Sequence, residues 1–118
     1  MMARAAVWTV AVLVLGVSVF TGCGESLEME QHFHDSGALY MEGGTKNGAR
    51  HGLWKSYYET GETWSVLSFK NGLKHGESRV YYQSGVLRME GQFEEGARAE
   101  GWRFYDEEGL EIELPVPQ

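Results

Sequence analysis

His32, His34, His51, His75 and the lone Cys23 are the side chains of this sequence that could ligate a metal or serve as a nucleophile and its base. His51 and His75 occupy equivalent loop positions 24 residues apart. Equivalent positions in adjacent hairpins stand about two strand spacings, or roughly 9.6 Å, apart, too far for one zinc ion with ligands near 2 Å. A turn role is therefore expected for both. His32 and His34 fall on one side of a possible strand with Asp35 beside them. Such a pair can bind a transition metal, but no further ligand is identifiable, so neither a metal nor a cofactor is assigned. Glu42 and Glu90 share an offset two repeats apart. At about 19 Å by the same spacing they cannot act as acid and base on one glycosidic oxygen. With no nucleophile-base pairing and no glycine-rich phosphate loop leading into a helix, acyl and phosphoryl transfer lack their parts. The expectation is a protein that is not an enzyme.

Two further rows suit binding better than catalysis. Tyr57, Tyr81 and Tyr105 form one, and Lys55, Arg79 and Arg103 form the other. Amphipathic rings and guanidinium groups supply large contact area with few torsions frozen, which favours them at binding surfaces. The same rows could instead stack across strands and pair with Glu42, Glu77 or Glu90, stabilising a twisted sheet.

Positioning such rows requires a regular scaffold, and glycines mark one. Gly37, Gly61, Gly85 and Gly109 recur every 24 residues, each closing a turn-forming tetrapeptide such as Tyr58-Glu59-Thr60-Gly61. A second set, Gly48, Gly72 and Gly96, follows Asn47, Asn71 and Glu95. Asn-Gly between apolar runs is a strong hairpin signal because both residues tolerate positive φ. Two turns per repeat leave two strands: Leu39–Lys46 with Gly52–Tyr58, Thr63–Lys70 with Gly76–Tyr82, and Leu87–Glu94 with Gly101–Asp106. Strict alternation places Leu39, Met41, Leu67, Phe69, Leu87, Met89 and Phe93 on one side, together with Trp54, Ser56, Tyr58, Val80, Tyr82, Trp102 and Phe104 of the returning strands. Tyr40, Trp64 and Arg88 then face the other way, with Glu42, Val66 and Glu90. Four-residue loops at 48–51, 72–75 and 96–99 would bring the two apolar sides together. The expected fold is all-β, an open antiparallel meander of stacked β-hairpin repeats. Its parts are a leader over 1–22, a tether and partial repeat over 23–36, repeats over 37–60, 61–84 and 85–108, and a tail over 109–118.

The segment Asn47-Gly48-x-x-His51-Gly52-x-Trp54-x-x-Tyr57-Tyr58-x-x-Gly61, echoed by Asn71-Gly72-x-x-His75-Gly76 and Tyr81-Tyr82-x-x-Gly85, resembles the MORN repeat. More narrowly it is similar to the bacterial variant associated with toxin-antitoxin-type antitoxins, and Met41-Glu42-Gly43 and Met89-Glu90-Gly91 match its leading strand. The likeness covers about 33–110. It implies a hairpin array and says little about function. The middle repeat departs by carrying Ser78 where the first has Trp54, and the third shifts its second glycine to Gly101 and lacks the Asn and His.

Ahead of the repeats, Met1-Met2-Ala3-Arg4 is followed by Ala5–Phe20, whose only hydroxyl-bearing residues are Thr9 and Ser18 and which carries no charge. This order reads as a secretory signal peptide, helical while it lasts, and slightly short for a permanent span of about 20 residues. Phe20-Thr21-Gly22-Cys23 resembles the bacterial lipobox, with Phe at a position usually held by Leu. Lipidation of Cys23 would leave a mature chain of residues 23–118 whose only thiol is consumed, anchored to a bilayer by two or three acyl chains. That chain carries nine basic against seventeen acidic residues, a formal charge of −8, which disfavours nucleic acid and anionic headgroups as partners. The expectation is a membrane-anchored lipoprotein of the bacterial cell envelope, at the outer membrane or a periplasmic face, binding an unknown protein partner. The alternative is an antitoxin- or immunity-like protein that neutralises a toxin. Free strand edges would also permit self-association.

Overall fold

In the computed structural model, residues 26–114 are described, and the leader and Cys23 lie outside them. Among the described residues nine strands form one antiparallel sheet: β1 (Glu28–Phe33), β2 (Leu39–Lys46), β3 (Ala49–Tyr57), β4 (Thr63–Lys70), β5 (Leu73–Tyr81), β6 (Leu87–Glu94), β7 (Ala97–Arg98), β8 (Arg103–Tyr105) and β9 (Glu111–Ile112). They follow sequence order across the sheet, except that short β7 and then β8 both pair with β6. Apart from β7 and β8, which do not pair with each other, consecutive strands are neighbours, as expected of an all-β meander. β2, β4 and β6 have the bounds expected from the glycine pattern.

In the first two repeats the returning strands begin earlier than expected, because the loops are shorter, and in the third the returning strand is split into β7 and a β8 that begins later, at Arg103. Lys46 pairs directly with Ala49, Lys70 with Leu73 and Glu94 with Ala97, leaving two-residue turns rather than four. Asn47 and Gly48 both take positive φ, 51° and 79°, the geometry whose twist matches a right-handed hairpin. The extra residues enter as irregularities inside the returning strands, between the pairs Gly44↔His51 and Gly43↔Trp54 in the first repeat. Since two residues are inserted there, the faces of β3, β5 and β8 are the expected ones.

A second irregularity changes five assignments. Pairing jumps from Ser56↔Ser65 to Tyr57↔Thr63, so Trp64 is an extra residue; Tyr40 and Arg88 are extra at the same place in β2 and β6. Such a bulge breaks alternation. It turns Tyr40, Trp64 and Arg88 toward the face of Met41 and Met89, against expectation, and sets Leu39 and Leu87 opposite Phe33 and Tyr81 on the other face. A strand also occurs at Glu111–Ile112, where a tail was expected.

The sheet is one layer thick, and its core is correspondingly small. Trp54 and Phe69 are the buried hydrophobic side chains among the described residues, accompanied by Thr45, Ser56, Ser65 and Ser78. Trp54 lies over Gly43, its cross-strand partner, and Trp102 lies over Gly91 in the same way. A Cβ on either glycine would come within 2.3 Å of the ring. The middle repeat exchanges the two sizes. Leu67 stands where the glycine would be, and the residue opposite is Ser78. The departure at Ser78 is thus a compensated pair.

Candidate functional site

The two faces of the sheet carry different chemistry. On one, small residues form a floor, and the bulges supply one bank. Ser56, Ser65 and Ser78 lie between Tyr40, Trp64 and Arg88 on one side and Phe69, Phe93 and Trp102 on the other, around a groove of about 430 Å³. The second bank is topped by cations that also recur every 24 residues: Arg50, Lys74 and Arg98. Arg50 sits 4.4 Å from the centre of the Trp54 ring, Lys74 5.0 Å from that of Phe93 and Arg98 4.4 Å from that of Trp102. These are cation–π distances. With Arg88, four cations and no carboxylate line the groove among the described residues, although acidic residues outnumber basic ones in the chain by seventeen to ten. The sequence signal for this row was its spacing, which the Tyr and Arg rows of the other face obscured.

That other face holds all six residues expected to bind. Lys55, Arg79 and Arg103 lie on one cross-strand row that runs Gln31, Glu42, Lys55, Val66, Arg79, Glu90, Arg103. Most of the row is satisfied internally. Tyr57 donates to Glu42 at 2.8 Å and Tyr105 to Glu90 at 2.9 Å. Arg79 pairs with Glu77 and Glu90, and Arg103 grips Glu111 through two hydrogen bonds of 3.1 and 2.9 Å. Among the described residues Tyr81 has no such acceptor, because Val66 stands where Glu42 and Glu90 stand in the flanking repeats.

These bonds shift the groups that make them. The Tyr57 hydroxyl and then the Gln31 amide hold the Glu42 carboxyl below the usual range against a smaller opposing effect of burial. Tyr57 itself is pushed up to about 12, first by burial and then by its bond to Glu42. Tyr105 is raised by the same causes at Glu90, while Arg103 is raised and Glu111 lowered by their mutual hydrogen bonds.

The histidines hold the repeats together. His51 Nδ1 accepts from the Asn71 amide at 3.3 Å and His75 Nδ1 from the Glu95 amide at 3.2 Å, each bracing the turn of the following unit. The expected turn role is what the structure gives them. A parallel series was missed in the sequence: His34, Tyr58 and Tyr82, 24 residues apart, donate to the carbonyls of Tyr57, Tyr81 and Tyr105 at 3.3, 2.7 and 2.9 Å. The second residue of each Tyr-Tyr pair is therefore a tie between units. His32 lies instead beside Glu30 and 6.3 Å from the Trp54 ring. Among the described residues no three His, Cys, Asp or Glu side chains are grouped to hold a metal.

The MORN repeat variant matches residues 50–71 and 74–95. Each matched segment runs from a groove cation, Arg50 or Lys74, to the residue whose amide the preceding histidine accepts, Asn71 or Glu95. No curated protein matches the chain, and no solved structure does.

Proposed function

Because two consecutive units of this sheet match the MORN repeat variant, we propose that the protein is a non-enzymatic binding module, tethered to a bacterial envelope membrane through acylated Cys23 and presenting its sheet to a protein partner. The observation that carries this reading is the groove that the described residues leave open: among them, aromatic banks, a floor of serines, four cations and no carboxylate line it. A groove of that character in an otherwise acidic chain selects an acidic protein segment bearing apolar side chains, the charges steering the encounter and the rings supplying buried area.

The test compares cross-linked capture from native membranes by the full chain and by a Lys74→Glu, Arg88→Glu variant. Both side chains line the groove without holding the backbone, so the thermal unfolding midpoint should be retained. Loss of a captured protein whose cross-linked segment is acidic, together with weaker capture at high salt, supports the reading. Undiminished capture by the charge-reversed groove overturns it. If the captured protein were a toxin, the antitoxin-like role implied by the sequence resemblance would be its specific form. The tether is checked separately by mass spectrometry: a diacylglycerol thioether on Cys23 is expected, and an unmodified thiol on a soluble product removes the anchor from the proposal.

A further inference from the structure

The ladder face repeats a motif three times and completes it twice. The complete form is clearest at Glu90. Its carboxylate accepts from the Tyr105 hydroxyl at 2.9 Å and lies 3.7 Å from both Arg79 and Arg103, the cross-strand neighbours on either side. Glu42 is the corresponding acceptor of Tyr57, with Lys55 as its neighbour. In the middle repeat the flanking cations and the tyrosine are present, as Lys55, Arg79 and Tyr81, but Val66 occupies the acceptor position between them.

The consequences are visible in the neighbours. Among the described residues Tyr81 has no acceptor for its hydroxyl, and Lys55 makes no ion pair, acting on Glu42 only through longer-range charge. A hollow of about 360 Å³ lies between Lys55, Val66 and Tyr81. Along the row the charges read minus, plus, neutral, plus, minus. An acceptor is missing where the local field is most favourable to one.

We propose that this hollow receives a carboxylate from outside the chain, an acidic side chain of a protein partner, which completes the third Tyr-carboxylate-cation set by accepting from Tyr81 and pairing with Lys55. A peptide side chain suits it better than a free small acid. The alkyl stem of a glutamate covers the apolar surface of Val66 and the Tyr81 ring, which bare acetate leaves wet. The inference deepens the reading of the protein as a binding module and rests on it, but uses the face opposite the groove. Failure of this contact therefore leaves groove-dependent capture standing, and failure of the groove leaves this contact measurable.

The test uses the full chain with carbon-13-labelled tyrosine rings and three probes: a blocked pentapeptide with a central glutamate, its glutamine counterpart, and sodium acetate. The glutamate peptide should move the Tyr81 signal saturably and bind about ten-fold more tightly than either control. Tyr57 and Tyr105, already bonded to Glu42 and Glu90, should hardly respond. Val66→Glu supplies the carboxylate internally and should weaken the peptide by about ten-fold or more, as should Tyr81→Phe. Unchanged Tyr57 and Tyr105 signals in each variant report an intact sheet, and Lys55→Gln provides a third variant should Val66→Glu disturb it. A Tyr81 signal that does not move, controls that bind as tightly as the glutamate peptide, or full affinity in Val66→Glu would each overturn the proposal.

Discussion

The bond between Tyr57 and Glu42 gives the ladder a measurable pH signature. A charge-assisted hydrogen bond at a partly exposed site is worth about 1 kcal/mol after solvent screening. Glu42 is shifted downward, so its share of that stability is present above the ordinary carboxylate range and is lost as pH falls through the lowered folded value. Tyr57 is shifted upward, so its share is full below its ordinary value of 10.0 and is lost as pH rises through about 12. Urea midpoints of wild type and Tyr57→Phe should therefore differ by a constant amount in the neutral range and converge at both extremes. A difference that is flat from acid to alkali would show that the bond contributes nothing. At this scale the sequence disclosed that Tyr57, Tyr81 and Tyr105 share a face but not which of them are already satisfied. Tyr57, Tyr81 and Tyr105 are identical in pattern; only the strand register reveals that Val66 denies Tyr81 the acceptor that Glu42 and Glu90 give the others.

Strands and turns were the most legible elements, and the misreadings have definite causes. The bounds of β2, β4 and β6 follow from glycines and Asn-Gly pairs flanking apolar runs. The loops are shorter than the pattern implies because two positive-φ residues close a hairpin alone, and the surplus chain reappears as an irregularity within the strand. Tyr40, Trp64 and Arg88 lie on the side opposite to the one strict alternation implies, because each is the extra residue of a bulge that alternation does not contain. One pairing rule is directly testable. Gly43→Ala places a Cβ inside the Trp54 ring volume and should cost about 2 kcal/mol by chemical denaturation. Ser78→Trp should be similarly costly on its own, because Leu67 fills the space the ring needs. Adding Leu67→Gly recreates the pairing of the outer repeats and should recover most of the loss. Simple additivity of the two substitutions would show that the pair is not coupled.

As a whole the molecule is close to one-dimensional: each unit contacts the next, and one layer shields little from water. Stability in such arrays is a sum of unit and nearest-neighbour contributions. Hydrogen-exchange protection should accordingly peak in β3 to β5, around Trp54 and Phe69, and decline toward β1 and β9; uniform protection would indicate that the sheet opens only as a single unit. The ties between units also have a direction. His34 reaches forward to Tyr57, Tyr58 to Tyr81 and Tyr82 to Tyr105, while His51 and His75 brace the turns that follow them. The next position in that series is Asp106, which bonds instead to the amides of Glu108 and Leu110 in its own turn. A chain emerging amino end first therefore leaves each hairpin unlatched until its successor arrives, and Asp106 is the tooth at which the zipper can close without waiting for another.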